Sequence, residues 1–74
     1  MKITVKLFAY FRDNRFVAEV RKYPESTKVI DVINDLDIDS DEIGITMINS
    51  RHCKFETVLS DGDILAIFPV IGGG

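Results

Sequence analysis

This chain of 74 residues contains one cysteine, two prolines, no tryptophan and no apolar run of the roughly 18 residues that a membrane span needs. The single cysteine, Cys53, excludes an internal disulfide and indicates a reducing, cytoplasmic compartment. The absence of a long apolar run predicts that nothing spans a membrane, and a signal peptide is not expected because no h-region follows the alternating N-terminal residues. Twelve acidic residues outnumber nine basic ones, giving a net charge of −3. Nucleic-acid binders usually carry a basic excess, so nucleic acid is not expected as the main ligand.

The mass of 8.4 kDa and the 46 % of hydrophobic residues are typical of one small folded domain. A chain this short needs most of its apolar residues for a single core. A self-contained catalytic pocket is therefore not expected, and the function is predicted to depend on larger partners.

Charge is distributed unevenly: residues 1–24 carry six basic and two acidic groups, whereas residues 25–42 carry one basic and seven acidic groups. This is consistent with two solvated faces of different charge or with an acidic face that steers a basic partner. The acidic run is not a calcium loop, because Ser40 stands where glycine is needed and Thr46 where glutamate is needed. His52 and Cys53 are neighbours on a predicted strand and point to opposite faces, so no metal site is predicted.

Apolar periodicity predicts the order β-β-α-β-β-β. Strands are expected over residues 2–8, 16–23, 45–48, 51–55 and 64–68, and a helix is expected between them up to about Leu36. Ser26 or Thr27 is the expected N-cap of that helix. The simplest arrangement pairs the first and last strands in parallel and packs the helix across them. The predicted fold is thus α+β, a β-grasp (ubiquitin-like) domain with a mixed four- to five-stranded sheet.

Two phenylalanines are expected to share the open face of that sheet. Ile3, Val5 and Leu7 have one parity and should face the helix, which leaves Phe8 on the opposite face. The same reasoning puts Phe68 on the open face, so the two rings should meet where the parallel strands end. The pair would form an exposed docking patch. The alternative is that one ring folds over the sheet edge toward another phenylalanine.

The most unusual feature is the ending Gly72-Gly73-Gly74. We predict a domain over residues 1–69 and a flexible tail over residues 70–74, because Pro69 has no N–H with which to continue a strand. A tail without side chains would pass through a narrow channel and leave its terminal carboxylate uncrowded. The alternative is a mobile end without a function.

Taken together, these features resemble the MoaD/ThiS family of ubiquitin-like sulfur carriers over essentially the whole chain. The resemblance is strongest at Lys6-Leu7-Phe8-Ala9 with Arg12, at Leu59 to Asp63 and at Ile67 to Gly74. It is closer to the small subunit of molybdopterin synthase than to the thiamine carrier. That subunit usually has two prolines after the phenylalanine, whereas Val70 stands second here, and its hairpin often has Asn-Gly where this chain has Asn49-Ser50.

The resemblance implies a carrier that is not itself an enzyme and holds no cofactor or metal. A partner adenylating enzyme would consume ATP to activate the Gly74 carboxylate, which sulfur would convert to a thiocarboxylate. An acceptor enzyme, such as the molybdopterin synthase large subunit, would then receive the tail. Gly72 and Gly73 would allow the tail to thread, and the docking residues would be Phe8, Phe68, Pro69, Val70, Ile71 and His52.

Three classes of function remain open at this point. One is a sulfur carrier for molybdopterin or for another pathway such as thiamine. Another is a protein modifier joined to targets through Gly74, and the third is a plain β-grasp interaction module whose glycines are incidental.

Overall fold

The computed structural model describes residues 1–70. Within them the regular elements are five strands, one α-helix and two short 3₁₀ turns. The bounds are β1 Lys2–Leu7, β2 Ala18–Lys22, α1 Val29–Asp35, β3 Ile43–Ile48, β4 Arg51–His52 and β5 Ile64–Pro69, with 3₁₀ turns at Ala9–Arg12 and Ser40–Glu42.

The strands form one mixed sheet in the order β2-β1-β5-β3-β4. β1 and β5 run parallel at its centre, with Val5 opposite Leu65 and Leu7 opposite Ile67, and the other neighbouring strands are antiparallel. The α-helix lies between the two central strands in the chain and provides the crossover that a parallel pair requires. This is the β-grasp arrangement, so the predicted fold class is confirmed.

The core lies between the helix and one face of the sheet. Ile3, Val5 and Leu7 alternate with solvated residues and are fully buried, as are Leu65 and Ile67 in β5. Val29, Val32 and Ile33 form the buried stripe of α1, at the spacing that places helical side chains on one side. The core therefore has the composition that the alternation and the helical spacing predict.

The helix begins one or two residues later than predicted. Lys28 is its N-cap, and the Lys28 amide donates to the Asp31 carboxylate at 2.9 Å. The expected caps are wrong because the Thr27 hydroxyl donates instead to the Pro24 carbonyl at 2.7 Å, and Ser26 has a left-handed φ of 69°. An acidic side chain in the first turn also interacts favourably with the helix dipole.

The fourth strand is shorter than the predicted 51–55, because the chain turns away directly after His52. The Lys54 amide donates to the Thr57 hydroxyl at 3.2 Å, and the Thr57 amide donates to the Lys54 carbonyl at 3.1 Å. The third strand begins two residues earlier than predicted, at Ile43. As for membrane insertion, residues 1–70 include no helix with the length and hydropathy to span a bilayer.

Candidate docking face and the chain exit

The register of the sheet defines an open face on the side away from the helix. In β1 and β5 the side chains on this face are those that alternate with the buried ones. Two β3 residues lie on the same face, because Ile45 is opposite Phe68 and Met47 is opposite Ala66. The residues of this open face are grouped by strand: from β2, Ala18, Val20 and Lys22; from β1, Lys2, Thr4 and Lys6, with Phe8 directly after the strand; from β5, Ile64, Ala66 and Phe68; from β3, Ile45 and Met47; and from β4, His52.

Phe8 and Phe68 stack on this face at the ends of the two central strands. Their ring centroids are 4.1 Å apart and the rings are inclined by 14°. Both side chains are half-buried, and each ring covers one face of the other. The alternative of a ring folded over the edge does not occur, since Phe11 is buried in the core and Phe55 packs against the core. The structure thus brings together the two predicted residues.

Arg12 holds Phe8 in this position. β1 ends at Leu7, and the chain turns at Ala9, whose φ of 51° is left-handed. The turn returns Arg12 toward the strand, where its Nε donates to the Leu7 carbonyl at 2.7 Å. Its guanidinium carbon lies 5.2 Å from the centroid of the Phe8 ring, within the range of a cation–π contact. A positive charge therefore lies beside the aromatic pair.

A shallow depression of about 240 Å³ runs along the open face from the phenylalanine pair to the β3–β4 turn. Its lining is apolar in the centre, with Lys6, Asn49 and Ser50 on the margin; the lining residues are Lys6, Phe8, Met47, Asn49, Ser50, Ile64, Ala66 and Phe68. Ile64 is 39 % exposed and Ile45 is 43 % exposed, and both lie on this face. Several exposed or half-buried apolar side chains thus lie next to one another on this face, which makes it the candidate docking surface.

The other predicted docking residues are placed differently. His52 is exposed on β4 directly opposite Met47, so it borders the open face. Pro69 is buried and does not contribute to the exposed patch. Val70 is 56 % exposed, and its amide donates to the Glu42 carbonyl at 2.8 Å. Ile71, Gly72, Gly73 and Gly74 lie outside the described residues, and the roles and the domain boundary assigned from the sequence stay predictions.

β5 ends at Pro69, and Pro69 with the following Val70, here called the exit point, lies against Gly44 of β3. A Cβ on Gly44 would approach the Pro69 oxygen to 2.9 Å and the Val70 Cα to 3.1 Å. The pairing of β3 with β5 shifts register at this place, between Ile43 and Ile45. Sequence reasoning missed Gly44, although an isolated glycine within a strand is a signal of close backbone approach.

Sequence reasoning also missed the contribution of β3 to the open face. Ile45 and Met47 extend the apolar area beside Phe68 and Ala66. The alternation of β3 could have identified them once the strand was placed next to β5. Lys6 also lines the depression, which its position in an alternating strand does not reveal.

A polar network lies on the opposite side of the sheet and connects β2 to the helix. Arg21 forms ion pairs with Glu19 at 2.8 Å and with Asp35 at 3.1 Å, and the Tyr23 hydroxyl donates to the Asp35 carboxylate at 3.0 Å. Burial raises the pKa of the Tyr23 hydroxyl, and the hydrogen bond to Asp35 raises it further. The network therefore stabilises the fold and is remote from the open face.

Within residues 1–70 no group of three or more histidine, cysteine or acidic side chains is arranged to hold a metal ion. The structure thus combines an exposed apolar face, a stacked aromatic pair and an exit point on one β-grasp domain. The model of the ThiS family matches residues 5–74 of the chain, and the chain therefore belongs to the ThiS family. It is thus one of the small ubiquitin-like carrier proteins.

Solved structures of similar proteins agree with this assignment. A putative molybdopterin converting factor subunit 1 from Pyrococcus furiosus is 26 % identical, with a TM-score of 0.79, over 96 % of this chain and 99 % of that one. Small archaeal modifier protein 1 of Haloferax volcanii is 20 % identical, with a TM-score of 0.76, over 95 % of this chain and 98 % of that one. In a complex of subunits 1 and 2 of the molybdopterin-converting factor from Helicobacter pylori, the matching chain is 18 % identical, with a TM-score of 0.68 and full coverage of both chains. The last two likenesses show the shared fold. No curated protein sequence matches the chain.

Proposed function

We propose that this protein is a sulfur carrier whose Gly74 carboxylate is converted to a thiocarboxylate, and that it serves as the small subunit of molybdopterin synthase. The observation that supports this most is the family match, which continues through Gly74 and joins the glycine ending to a domain with an apolar docking face. The 26 % identity to a molybdopterin converting factor subunit over nearly the whole chain favours that pathway.

The proposed chemistry begins from the poor reactivity of a carboxylate, which is anionic and has no good leaving group. The carboxylate oxygen attacks the α-phosphorus of ATP in a partner enzyme, which forms an acyl-adenylate and releases pyrophosphate. The terminal sulfur of a persulfide then attacks the acyl carbon and AMP leaves. A thiol cleaves the resulting acyl disulfide, is oxidised to a disulfide in doing so, and releases the Gly74 thiocarboxylate.

No residue of this chain is assigned as a general acid or base, and the chain itself holds no cofactor. The chain binds the partner and directs its own C-terminal segment. The stacked Phe8 and Phe68 and the neighbouring apolar residues dock the partner, while the exit point at Pro69 and Val70 directs the following segment toward the partner's catalytic centre. Glycines at positions 72 and 73 leave the acyl carbon without neighbouring side chains. Ile71 would contact the walls of the channel, and His52 would contact the margin of the partner.

Two partners follow from this proposal. One is an adenylating enzyme that uses ATP, and the other is a sulfur acceptor of the type of the molybdopterin synthase large subunit. The structure of subunits 1 and 2 together in Helicobacter pylori supports the second, because its small chain has the same fold over its full length. A reducing compartment, the cytoplasm, would keep the persulfide and thiol chemistry available.

Two alternatives use the same activated carboxylate. A carrier for the thiamine pathway is favoured by the ThiS family model. A modifier joined to lysines of other proteins is favoured by the common fold with the small archaeal modifier protein. In a modifier the acyl-adenylate would react with an amine and form an isopeptide bond in place of a thiocarboxylate.

The intact mass of the protein isolated from its native host distinguishes these functions. A species in which one oxygen is replaced by sulfur supports a carrier, whereas a ladder of conjugates to other proteins supports a modifier. Loss of molybdopterin after deletion of Gly74 from the chromosomal gene would assign the pathway. A deletion strain with normal molybdopterin and impaired thiamine synthesis would assign the other carrier pathway.

A further inference from the structure

We propose that the open face binds a partner protein whose contact surface has an apolar centre and a border of carboxylates. The carboxylates lie on the part of that surface that meets β1 and β2. This inference rests on the proposed function for the identity of the partner, the adenylating enzyme of the same host. It specifies the charge of that partner's surface, which the carrier chemistry itself leaves open.

The first observation is the sign of the charges on the open face. Its charged strand residues are Lys2, Lys6 and Lys22, and none of the strand positions facing this side carries an aspartate or glutamate. The guanidinium of Arg12 adds a fourth positive charge at the phenylalanine pair. The whole chain has a net charge of −3, so positive charge is concentrated on the face that also exposes the apolar area.

The second observation is that two of these lysines oppose each other. Lys2 lies directly opposite Lys22 in the antiparallel pair of β1 and β2. At the two ends of this ladder, the Leu7 amide donates to the Val17 carbonyl and the Tyr23 amide donates to the Met1 carbonyl, which places the hydrogen-bonded pairs at the odd positions of β1. Lys2 and Lys22 are therefore a non-hydrogen-bonded pair, the closer of the two kinds, and like charges directly opposite are destabilising.

Within residues 1–70 none of these four side chains forms an ion pair. The ion pairs in this range are both formed by Arg21, on the other side of β2. The Asp61 carboxylate approaches Lys2, but it accepts from the Lys2 backbone amide at 2.7 Å rather than from the ammonium. An unfavourable arrangement retained on an exposed face is explained by a role in binding, where carboxylates of a partner would neutralise it.

The third observation is the position of the charges relative to the apolar area. Lys6 lies on the margin of the depression and pairs with Ala66 across the parallel strands. An apolar centre with charges at its border is the usual anatomy of a protein interface. A nucleic acid is disfavoured by the net charge of −3 and by the two phenylalanines, which stack on each other and leave no gap for a base.

The test measures binding of this chain to the host's adenylating enzyme by stopped-flow fluorescence and calorimetry. The double variant Lys6→Glu with Lys22→Glu removes the positive border, and the matched double variant Lys28→Glu with Lys54→Glu makes the same charge change away from the open face. We expect the first to slow association by about tenfold or more and the second to change it by less than about twofold. For the wild type, association should slow as salt rises from about 0.01 M to about 0.15 M, which shortens the Debye length from about 30 Å to about 8 Å.

A stability measurement separates a binding role from a structural one. Lys22→Glu alone converts the opposed lysines into an oppositely charged pair with Lys2, so its melting temperature should equal or exceed that of the wild type. Weaker binding by a more stable variant supports the proposal. A lower melting temperature with unchanged association would overturn it, because the lysines would then serve the fold.

The remaining outcomes are also decisive. Equal effects of the two double variants, or association that does not depend on salt, contradict a carboxylate-bordered partner. Tighter binding to single-stranded DNA or to phosphatidylserine vesicles than to the enzyme would assign the face to phosphate groups instead. If the enzyme binds the chain but shows no ATP–pyrophosphate exchange, the Gly74 carboxylate is not adenylated and the proposed function is refuted. The proposal on the charge of the partner surface would still be tested by the charge variants. A wild-type chain that does not bind the enzyme at all would refute both.

Discussion

Replacing Gly44 with alanine tests how the exit point of the chain is held. The added Cβ would lie 2.9 Å from the Pro69 oxygen, 3.1 Å from the Val70 Cα and 3.2 Å from the Pro69 carbonyl carbon. These neighbours are backbone atoms of a paired strand, so they cannot rotate away as a flexible side chain would. The end of β5 has to move by about 0.5 Å, and overpacking of this kind costs about 1–3 kcal/mol.

A smaller gain opposes that cost. Alanine restricts the unfolded chain more than glycine does, which stabilises the fold by about 0.4–1 kcal/mol where the native backbone allows it. We therefore expect a net loss of about 0.5–2 kcal/mol in the free energy of unfolding. For a domain of this size that corresponds to a melting temperature lower by about 4–15 °C.

Gly62→Ala is the matched control. Gly62 has a left-handed φ of 86° and no atom within 4 Å of an added Cβ, so alanine there would be destabilising through backbone strain alone. It precedes the opposite end of β5. Hydrogen exchange of the Val70 amide, which donates to Glu42, provides the local measurement. Gly44→Ala should accelerate that exchange well beyond its effect on global stability, whereas Gly62→Ala should not.

The reasoning is refuted if Gly44→Ala is as stable as the wild type and the Val70 amide keeps its protection. That result would show that β3 and the exit point adjust without cost. A loss of stability with unchanged Val70 exchange would place the strain elsewhere in β3 and would remove Gly44 from the account of how the exit is held.

Three further predictions concern the Phe8–Phe68 pair, the β3–β4 turn and the stability of the fold at alkaline pH. Phe68→Ala should weaken binding to the adenylating enzyme at a cost of only about 1–2 kcal/mol in folding, since the ring is half-buried. Val58→Ala, at an exposed position outside the open face, should leave binding unchanged. Ser50→Gly should raise stability by about 1 kcal/mol in urea unfolding, because Ser50 has a left-handed φ of 69°; an unchanged midpoint would contradict this. The raised pKa of Tyr23 means that the folded state holds that proton more tightly, so its contribution is complete below pH 10.0 and is lost as pH rises through the folded pKa. Tyr23→Phe should therefore flatten the alkaline decline in unfolding free energy, and an equally steep decline would assign it to other groups.

Much of the fold follows from the sequence because its hydrophobic periods are clear. The alternation from Ile3 to Leu7 and the helical spacing from Val29 to Ile33 each specify one buried side, and burial determines the register of strands in a sheet. The pairing of Phe8 with Phe68 follows from parity once β1 and β5 are parallel. A hydrogen bond for which the chain offers several nearly equivalent partners cannot be predicted from these hydrophobic periods.

The start of the helix shows why such details are not predictable. Thr27 and Asp31 both offer oxygens to the first turn, and the choice depends on the position of the Pro24 carbonyl, which only the folded loop defines. The role of Arg12 is similar, because its partner is the Leu7 carbonyl and a backbone acceptor leaves no mark in the sequence. The contact of Gly44 with the exit point depends on a register shift between β3 and β5 that alternation does not encode.

The central claim concerns a single carboxylate, that of Gly74, and mass spectrometry tests it most directly. The purified chain is incubated with the host's adenylating enzyme, ATP, a persulfide donor and a thiol, and fragment ions locate any sulfur. The account predicts one oxygen replaced by sulfur on the fragment that contains Gly74, in the wild type and equally in a Cys53→Ser variant. Sulfur added only to Cys53, or none on the Gly74 fragment despite ATP consumption, would contradict it.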